Sequence, residues 1–181
     1  MKNLQNKYFY EDNLETERLR ARFLTLQDIP SWAAFFQYQE AIELFPDFGT
    51  KDVIKISEQW IQKQIERYQN KKFGLQALIY KETNEFIGLC GLVTQIVDEI
   101  EEIEVGYHIL KRFWGKGFAP EAAKRFINYA FENQLTQSVI SIIDVRNTKS
   151  QRVAEKNNLS IEKQTKWNNL DVYIYRIYNS A

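Results

Sequence analysis

The chain has 181 residues, of which 44% are hydrophobic and 27% charged, proportions of an ordinary water-soluble globular protein with one core and room for a substrate cleft. Lysine plus arginine number 24 and aspartate plus glutamate 24, so no overall field selects nucleic acid or an anionic membrane. Cys90 is the only cysteine and His108 the only histidine, which excludes an internal disulfide and a cysteine-built metal cluster and argues against a zinc site; no metal is expected, an all-carboxylate magnesium site being the alternative left open.

The first thirteen residues carry no continuous apolar segment and no small-residue cleavage site, and are expected to be an N-terminal extension rather than a signal peptide. No stretch approaches the roughly 20 apolar residues of a membrane span, so a cytoplasmic protein that binds no membrane is expected. Residues 14–181 then read as one domain without linker or repeat.

Residues 19–26 have strand character. Asp28 as N-cap and Pro30 in the first turn introduce a helix through about residue 39. After the break Phe45-Pro46-Asp47-Phe48-Gly49, a second helix spans 52–68, with Ile54, Trp60, Ile61 and Ile65 on its apolar face. Residues 73–80 and 85–95 form a hairpin about Glu82-Thr83-Asn84. Residues 101–111 alternate: Ile103, Val105, Tyr107 and Ile109 share one face, and Glu104, Gly106 and His108 the other.

A glycine-rich turn leads into a helix whose Ala119, Ala122, Ala123, Phe126, Ile127, Ala130 and Phe131 follow helical spacing. Residues 138–145 are an apolar, β-branched run suited to an interior strand. A short helix over 148–157 and a hairpin of 161–167 with 170–178, turning at Asn168-Asn169, complete the chain. The order β-α-α-β-β-β-α-β-α-β-β predicts an α+β domain: one mixed, mostly antiparallel sheet with a single parallel β-α-β pairing.

The turn Arg112-Phe113-Trp114-Gly115-Lys116-Gly117-Phe118-Ala119 carries the chemistry. Its glycines let the backbone bend and approach a ligand, and the helix that starts at once offers unpaired N–H groups and the positive end of its dipole to an anion. Arg112 and Lys116 add charge at the rim. A Walker loop would need Ser or Thr where Gly117 stands, and a dinucleotide fingerprint needs a third glycine and an early βαβ unit. A tight turn without a ligand is the competing reading.

The octapeptide resembles the Q/R-x-x-G-x-G/A motif of the GNAT N-acetyltransferase superfamily, and Ala119-Pro120-Glu121-Ala122 resembles the Ala-x-Glu-Ala that often follows it. Glu104-Val105-Gly106-Tyr107 is similar to the family's fourth strand. Asn147-Thr148-Lys149-Ser150 with Glu155-Lys156 is similar to the segment after its fifth strand. Thr16-Glu17-Arg18-Leu19-Arg20-Ala21-Arg22 resembles the opening of the RimJ/RimL-like branch. The family usually has glycine where this chain has Asn158, and asparagine is the next best residue for a left-handed helix exit.

The resemblance implies acetyl-CoA as donor and direct transfer to an amine, either a protein N-terminus or a small molecule. It implies pyrophosphate binding by Trp114, Gly115, Lys116, Gly117, Phe118 and Ala119. It places Ile109 and Leu110 at the pantetheine arm, with a backbone N–H there for the thioester carbonyl. Glu104 is the candidate base, against a solvated glutamate of the acidic run 98–104. Ser150 is the candidate partner of the leaving thiolate and Asn147 a pantetheine contact, against structural roles in a helix start and a turn; Tyr173 or Tyr175 are alternative phenols. His108 and Cys90 read as packing residues, and Phe45, Phe48 and Trp60 as residues that can line the acceptor cleft. Homodimers built through sheet edges are common in the family. A non-catalytic acyl-CoA sensor and a nucleotide-binding domain are the rival functions.

Overall fold

The computed structural model describes residues 12–180, and the first eleven residues of the expected extension lie outside them. Seven strands form one sheet: β1 (Leu19–Arg22), β2 (Gln76–Tyr80), β3 (Glu85–Val97), β4 (Ile100–Ile109), β5 (Ser138–Asp144), β6 (Ser160–Trp167) and β7 (Leu170–Tyr178). Their spatial order is β1-β2-β3-β4-β5-β7-β6, and every neighbouring pair is antiparallel except β4 and β5. The α+β plan with one parallel pairing is therefore the observed one.

The helices are α1 (Ile29–Ala33), α2 (Gln39–Ile42), α3 (Val53–Gln69), α4 (Phe118–Glu132) and α5 (Thr148–Lys156). Tyr107 and His108 are adjacent in β4 and must point to opposite faces. The Tyr107 hydroxyl reaches the Ser150 carbonyl in α5, and the His108 ring lies 5.3 Å from that of Trp60 in α3. One face of the sheet is thus covered by α1 and α3, which pack on each other, and the other by α4 and α5.

Several boundaries differ from the sequence reading. The first strand ends at Arg22, because its guanidinium grips both Asp28 carboxylate oxygens (2.9 and 2.7 Å) and the Phe23 N–H turns to Asp12 instead of β2. Asp28 does not cap α1; it closes the turn Leu26–Asp28, accepting the Thr25 N–H at 2.9 Å. The single helix expected up to residue 39 becomes α1, a 3-10 turn Ala34–Gln37, and α2, separated by an extended Tyr38 (φ −103°, ψ 112°). This aromatic stretch has little intrinsic helix preference, and tertiary contacts decide: Trp32, Phe35 and Phe36 are buried, while the Lys111 ammonium sits 4.8 Å above the Tyr38 ring.

In α3 the buried positions are Ile56, Ser57, Ile61 and Gln64, and Ile54 is exposed, since the Asp52 cap places Ile54 in the first turn on the solvent side. β2 begins at Gln76 rather than residue 73 because the Leu75 N–H bonds to the Gln64 side chain, not to a strand. The hairpin turns at Asp98-Glu99 and Asn168-Asn169 have both residues at positive φ, which matches the right-handed twist of their strands. Asn158 takes the left-handed exit from α5 (φ 63°).

The main core lies between the sheet and α1, α3 and α4; a second cluster, Val97, Ile140, Val172 and Ile174, sits under the β5–β7 half. β4 and β5 share one rung, Glu104 with Ile140. Beyond it the two strands part into a fork. No helix among the described residues is long and apolar enough to cross a membrane.

Candidate active site

One cleft of about 1000 Å³ runs from the glycine loop, past the fork, to the aromatic residues of α1 and α3. At its donor end a 3-10 turn, Lys111–Phe113, is followed by extended Trp114 and then Gly115 and Gly117 at φ 75° and 81°. No side chain caps the N-terminus of α4. Its first-turn acid, Glu121, turns aside to take the Thr16 hydroxyl, the Arg18 N–H and the Arg18 guanidinium. The loop therefore offers backbone N–H donors and a positive dipole end, fitted to an anion such as a pyrophosphate.

At the fork, side chains replace the missing rungs. The Glu104 carboxylate accepts the Ile142 N–H at 3.3 Å and the Gln95 side-chain N–H at 2.8 Å, and the Ser141 hydroxyl donates to the Val105 carbonyl at 3.2 Å. Burial raises the Glu104 pKa to about 7, against the two hydrogen bonds and the positive charge of Arg67, which favour the carboxylate. A carboxyl that half ionises near neutrality is suited to take up a proton there.

On the far side of the fork Asn147 caps α5, its side-chain oxygen accepting the Ser150 N–H at 3.0 Å, while the Ser150 carbonyl accepts the Tyr107 hydroxyl at 2.9 Å. Both residues line the cleft, as does Tyr107, whose role the alternation of apolar residues had hidden. At the acceptor end Phe35, Phe45 and Trp60 surround His108, with ring centres 5.2–6.0 Å from the imidazole. Burial pulls the His108 pKa down to about 4, so the ring is neutral at physiological pH. A strap over residues 40–48 crosses the cleft and is tied to the donor side: Arg146 donates to the Glu43 carbonyl at 3.1 Å, and Lys149 pairs with Glu40.

Of the other residues singled out in the sequence, Gly115, Gly117, Phe118, Ala119, Trp114, Ile109 and Phe48 line the cleft. Arg112 and Lys116 lie outside its lining: Arg112 faces Glu85 at 3.5 Å, and the Lys116 ammonium sits 5.4 Å over the Phe113 ring. Leu110 is buried and its N–H is engaged by the Ile87 carbonyl, while the Ile109 carbonyl accepts the Trp114 indole N–H. Tyr175 is buried against Glu155, and Tyr173 is outside the lining too. Cys90 is buried in β3, and burial raises its thiol pKa far above the ordinary range. Among the described residues no group of three or more His, Cys, Asp or Glu is placed to hold a metal ion.

The sequence reading missed Arg18 as a partner of the loop, and Gln95, Lys63 and Arg67 as cleft residues. Only Arg18 carried a signal, through its place in the Thr16–Arg22 motif.

The sequence profile of the acetyltransferase (GNAT) domain matches residues 18–160. The chain belongs to that family of acetyl-CoA-dependent acyltransferases, and it is an enzyme. Among curated relatives it is 30% identical to the uncharacterized protein YkkB of Bacillus subtilis, over 92% of this chain and 96% of that one. Its fold is shared with the acetyltransferase of Agrobacterium tumefaciens (TM-score 0.77, 23% identity, 99% of each chain). It is shared too with RimL, a ribosomal L7/L12 α-N-protein acetyltransferase solved with coenzyme A (TM-score 0.73, 15% identity, 92% of this chain and 98% of that one).

Proposed function

We propose that this enzyme transfers the acetyl group of acetyl-CoA to a primary amine by direct attack, with Glu104 as the general base. The observation that carries this reading is the position of Glu104: its carboxyl, with a pKa near 7, lines the one cleft that also takes in the glycine loop and the aromatic residues of α1 and α3. Acetyl-CoA supplies an activated acyl group. In this reading the N–H groups from Trp114 to Ala119 hold its pyrophosphate, and the α5 turn at Asn147 and Ser150 flanks the arm that reaches the fork.

Glu104 takes the proton of the attacking amine, directly or through a water. The amine nitrogen bonds to the acyl carbon, the carbon–sulfur bond breaks, and the thiolate leaves with a hydrogen bond from the Ser150 hydroxyl. Alignment of amine and thioester in one cleft supplies much of the rate. RimL acts on a protein N-terminus by its name, and the same nucleophile, a primary amine, is assigned here.

The test is thiol release from acetyl-CoA with a panel of amines, wild type against Glu104→Gln. Amine-dependent release that falls by about 10²–10⁴-fold in the variant is expected for loss of a general base. If acetyl-CoA binds but no amine stimulates release, the reading fails.

A further inference from the structure

The wall of the acceptor end formed by α3 is cationic. Gln59, Lys63 and Arg67 recur every four residues and so form one row along the helix, and all three line the cleft. Val93, Gln95 and Glu104 line the same cleft, and the Arg67 charge is felt at Glu104.

The carboxylates of the cleft are largely committed elsewhere. Glu40 pairs with Lys149 and Asp144 with Arg146; Asp47 accepts the Gly49 N–H, and Glu43 lies in the field of Arg146. Glu104 is held by Gln95 and Ile142. The charge that acts on Lys63 is instead a second cation, Arg67, and partial burial together with this neighbour lowers the ammonium pKa. No ion pair of Lys63 occurs among the described residues. A half-buried ammonium with a cationic neighbour at the wall of a cleft is stabilised by an anion placed against it.

We infer that the acceptor is a small zwitterion, a primary amine whose skeleton carries a carboxylate or phosphate, with Lys63 holding the anionic group in the field of Arg67. The inference rests on the proposed acetyl transfer and narrows its substrate. Phe45, Trp60 and the neutral His108 flank an apolar body, and the anion anchored on α3 turns the amine toward Glu104. The same two cations disfavour a protonated amine, which eases removal of its proton.

The experiment compares matched amines: phenylalanine with phenylalaninamide, phosphoethanolamine with ethanolamine, and a tetrapeptide amide with a free N-terminus. The expected result is a kcat/KM about tenfold or more higher for the anionic member of at least one pair, the carboxylate and phosphate arms showing which anion is served. That ratio collapses toward one in Lys63→Gln and inverts in Lys63→Glu. A second readout needs no turnover: calorimetric binding of N-acetylphenylalanine and of its amide to the CoA-loaded protein, with the acid preferred in wild type and not in Lys63→Gln. Acetylation of neutral amines or of the peptide as fast as anionic ones, with a ratio indifferent to Lys63, overturns the inference and leaves acetyl transfer standing. Lys63-dependent binding of the acid without any amine turnover upholds the anion site and sinks the transfer reading. Absence of both overturns the anion site.

Discussion

Arg18 and Glu121 lie 103 residues apart and form one bonded unit at the glycine loop, with a guanidinium nitrogen 2.6 Å from the carboxylate. The same guanidinium donates to the Lys116 carbonyl at 2.9 Å and stacks 4.4 Å over the Phe118 ring. It approaches within 3.4 Å of where a side chain on Gly117 would begin. The residue just before β1 therefore braces the loop from behind, and Glu121 is held away from the uncapped N-terminus of α4.

Loss of this brace is expected to act on the donor more than on the acceptor. Glu121→Gln removes the charge of the pair, which is partly exposed, and should cost about 1–2 kcal/mol of stability. In steady-state kinetics the KM for acetyl-CoA should rise several-fold with a smaller change in kcat. An unchanged KM for acetyl-CoA, with all of the loss in stability, would mean that the brace supports only the fold.

Glu104 gives two pH dependences of opposite sign. In the proposed transfer the ionised carboxylate of Glu104 takes up the proton, so kcat/KM should rise with pH about a midpoint near 7, set by burial against Gln95, the Ile142 N–H and the Arg67 charge; the neutral His108 on the same face adds none. Stability should run the other way. The folded-state pKa is raised from 4.5, so between about 4.5 and 7 the folded protein binds more protons than the unfolded chain, and its contribution to stability falls as pH rises. Glu104→Gln keeps an acceptor for the Ile142 N–H without this penalty. Thermal melts should show its Tm gaining on wild type from pH 5 to pH 8, while its rate stays low throughout.

The two glycines of the loop separate folding from binding. Both have positive φ, so alanine at either should cost about 1–2 kcal/mol in backbone strain. A side chain at Gly115 meets nothing within 4 Å and lies beside the cleft. Gly115→Ala is therefore expected to fold and to bind acetyl-CoA more weakly, the obstruction falling on the ligand. Gly117→Glu should remain folded yet lose the thermal shift produced by CoA. A full CoA shift in that variant would detach the loop from pyrophosphate binding.

What the sequence disclosed follows from how local each signal is. The glycine loop was legible because Gly115, Gly117 and the α4 start are contiguous, and the one parallel pairing because β4, α4 and β5 are separated by clear breaks. Asn158 was readable as a left-handed exit from its residue type alone. The partners of Glu104 were not, since Gln95 and Ile142 reach it from two other strands across a fork that no periodicity reports. Nothing in the sequence singled out Lys63 and Arg67, because whether they line the cleft depends on which wall of it α3 forms. The break after Gln37 was hidden because Tyr38 is drawn out of the helix by Lys111, a contact made across 73 positions (38 to 111).

The single rung between Glu104 and Ile140 also leaves a gap in the ladder bonds at the middle of the sheet. Strand amides ordinarily exchange slowest at a sheet's centre, where ladder bonds are continuous. Here the amides that look across the fork lack a strand partner, and the Ile142 N–H is held only by a carboxyl that protonates near neutrality. Deuterium should therefore enter the central strands β4 and β5 beyond that rung sooner than the β3–β4 or β5–β7 ladders on either side. A ligand seated in the fork should slow it, so exchange at these few amides reports occupancy residue by residue.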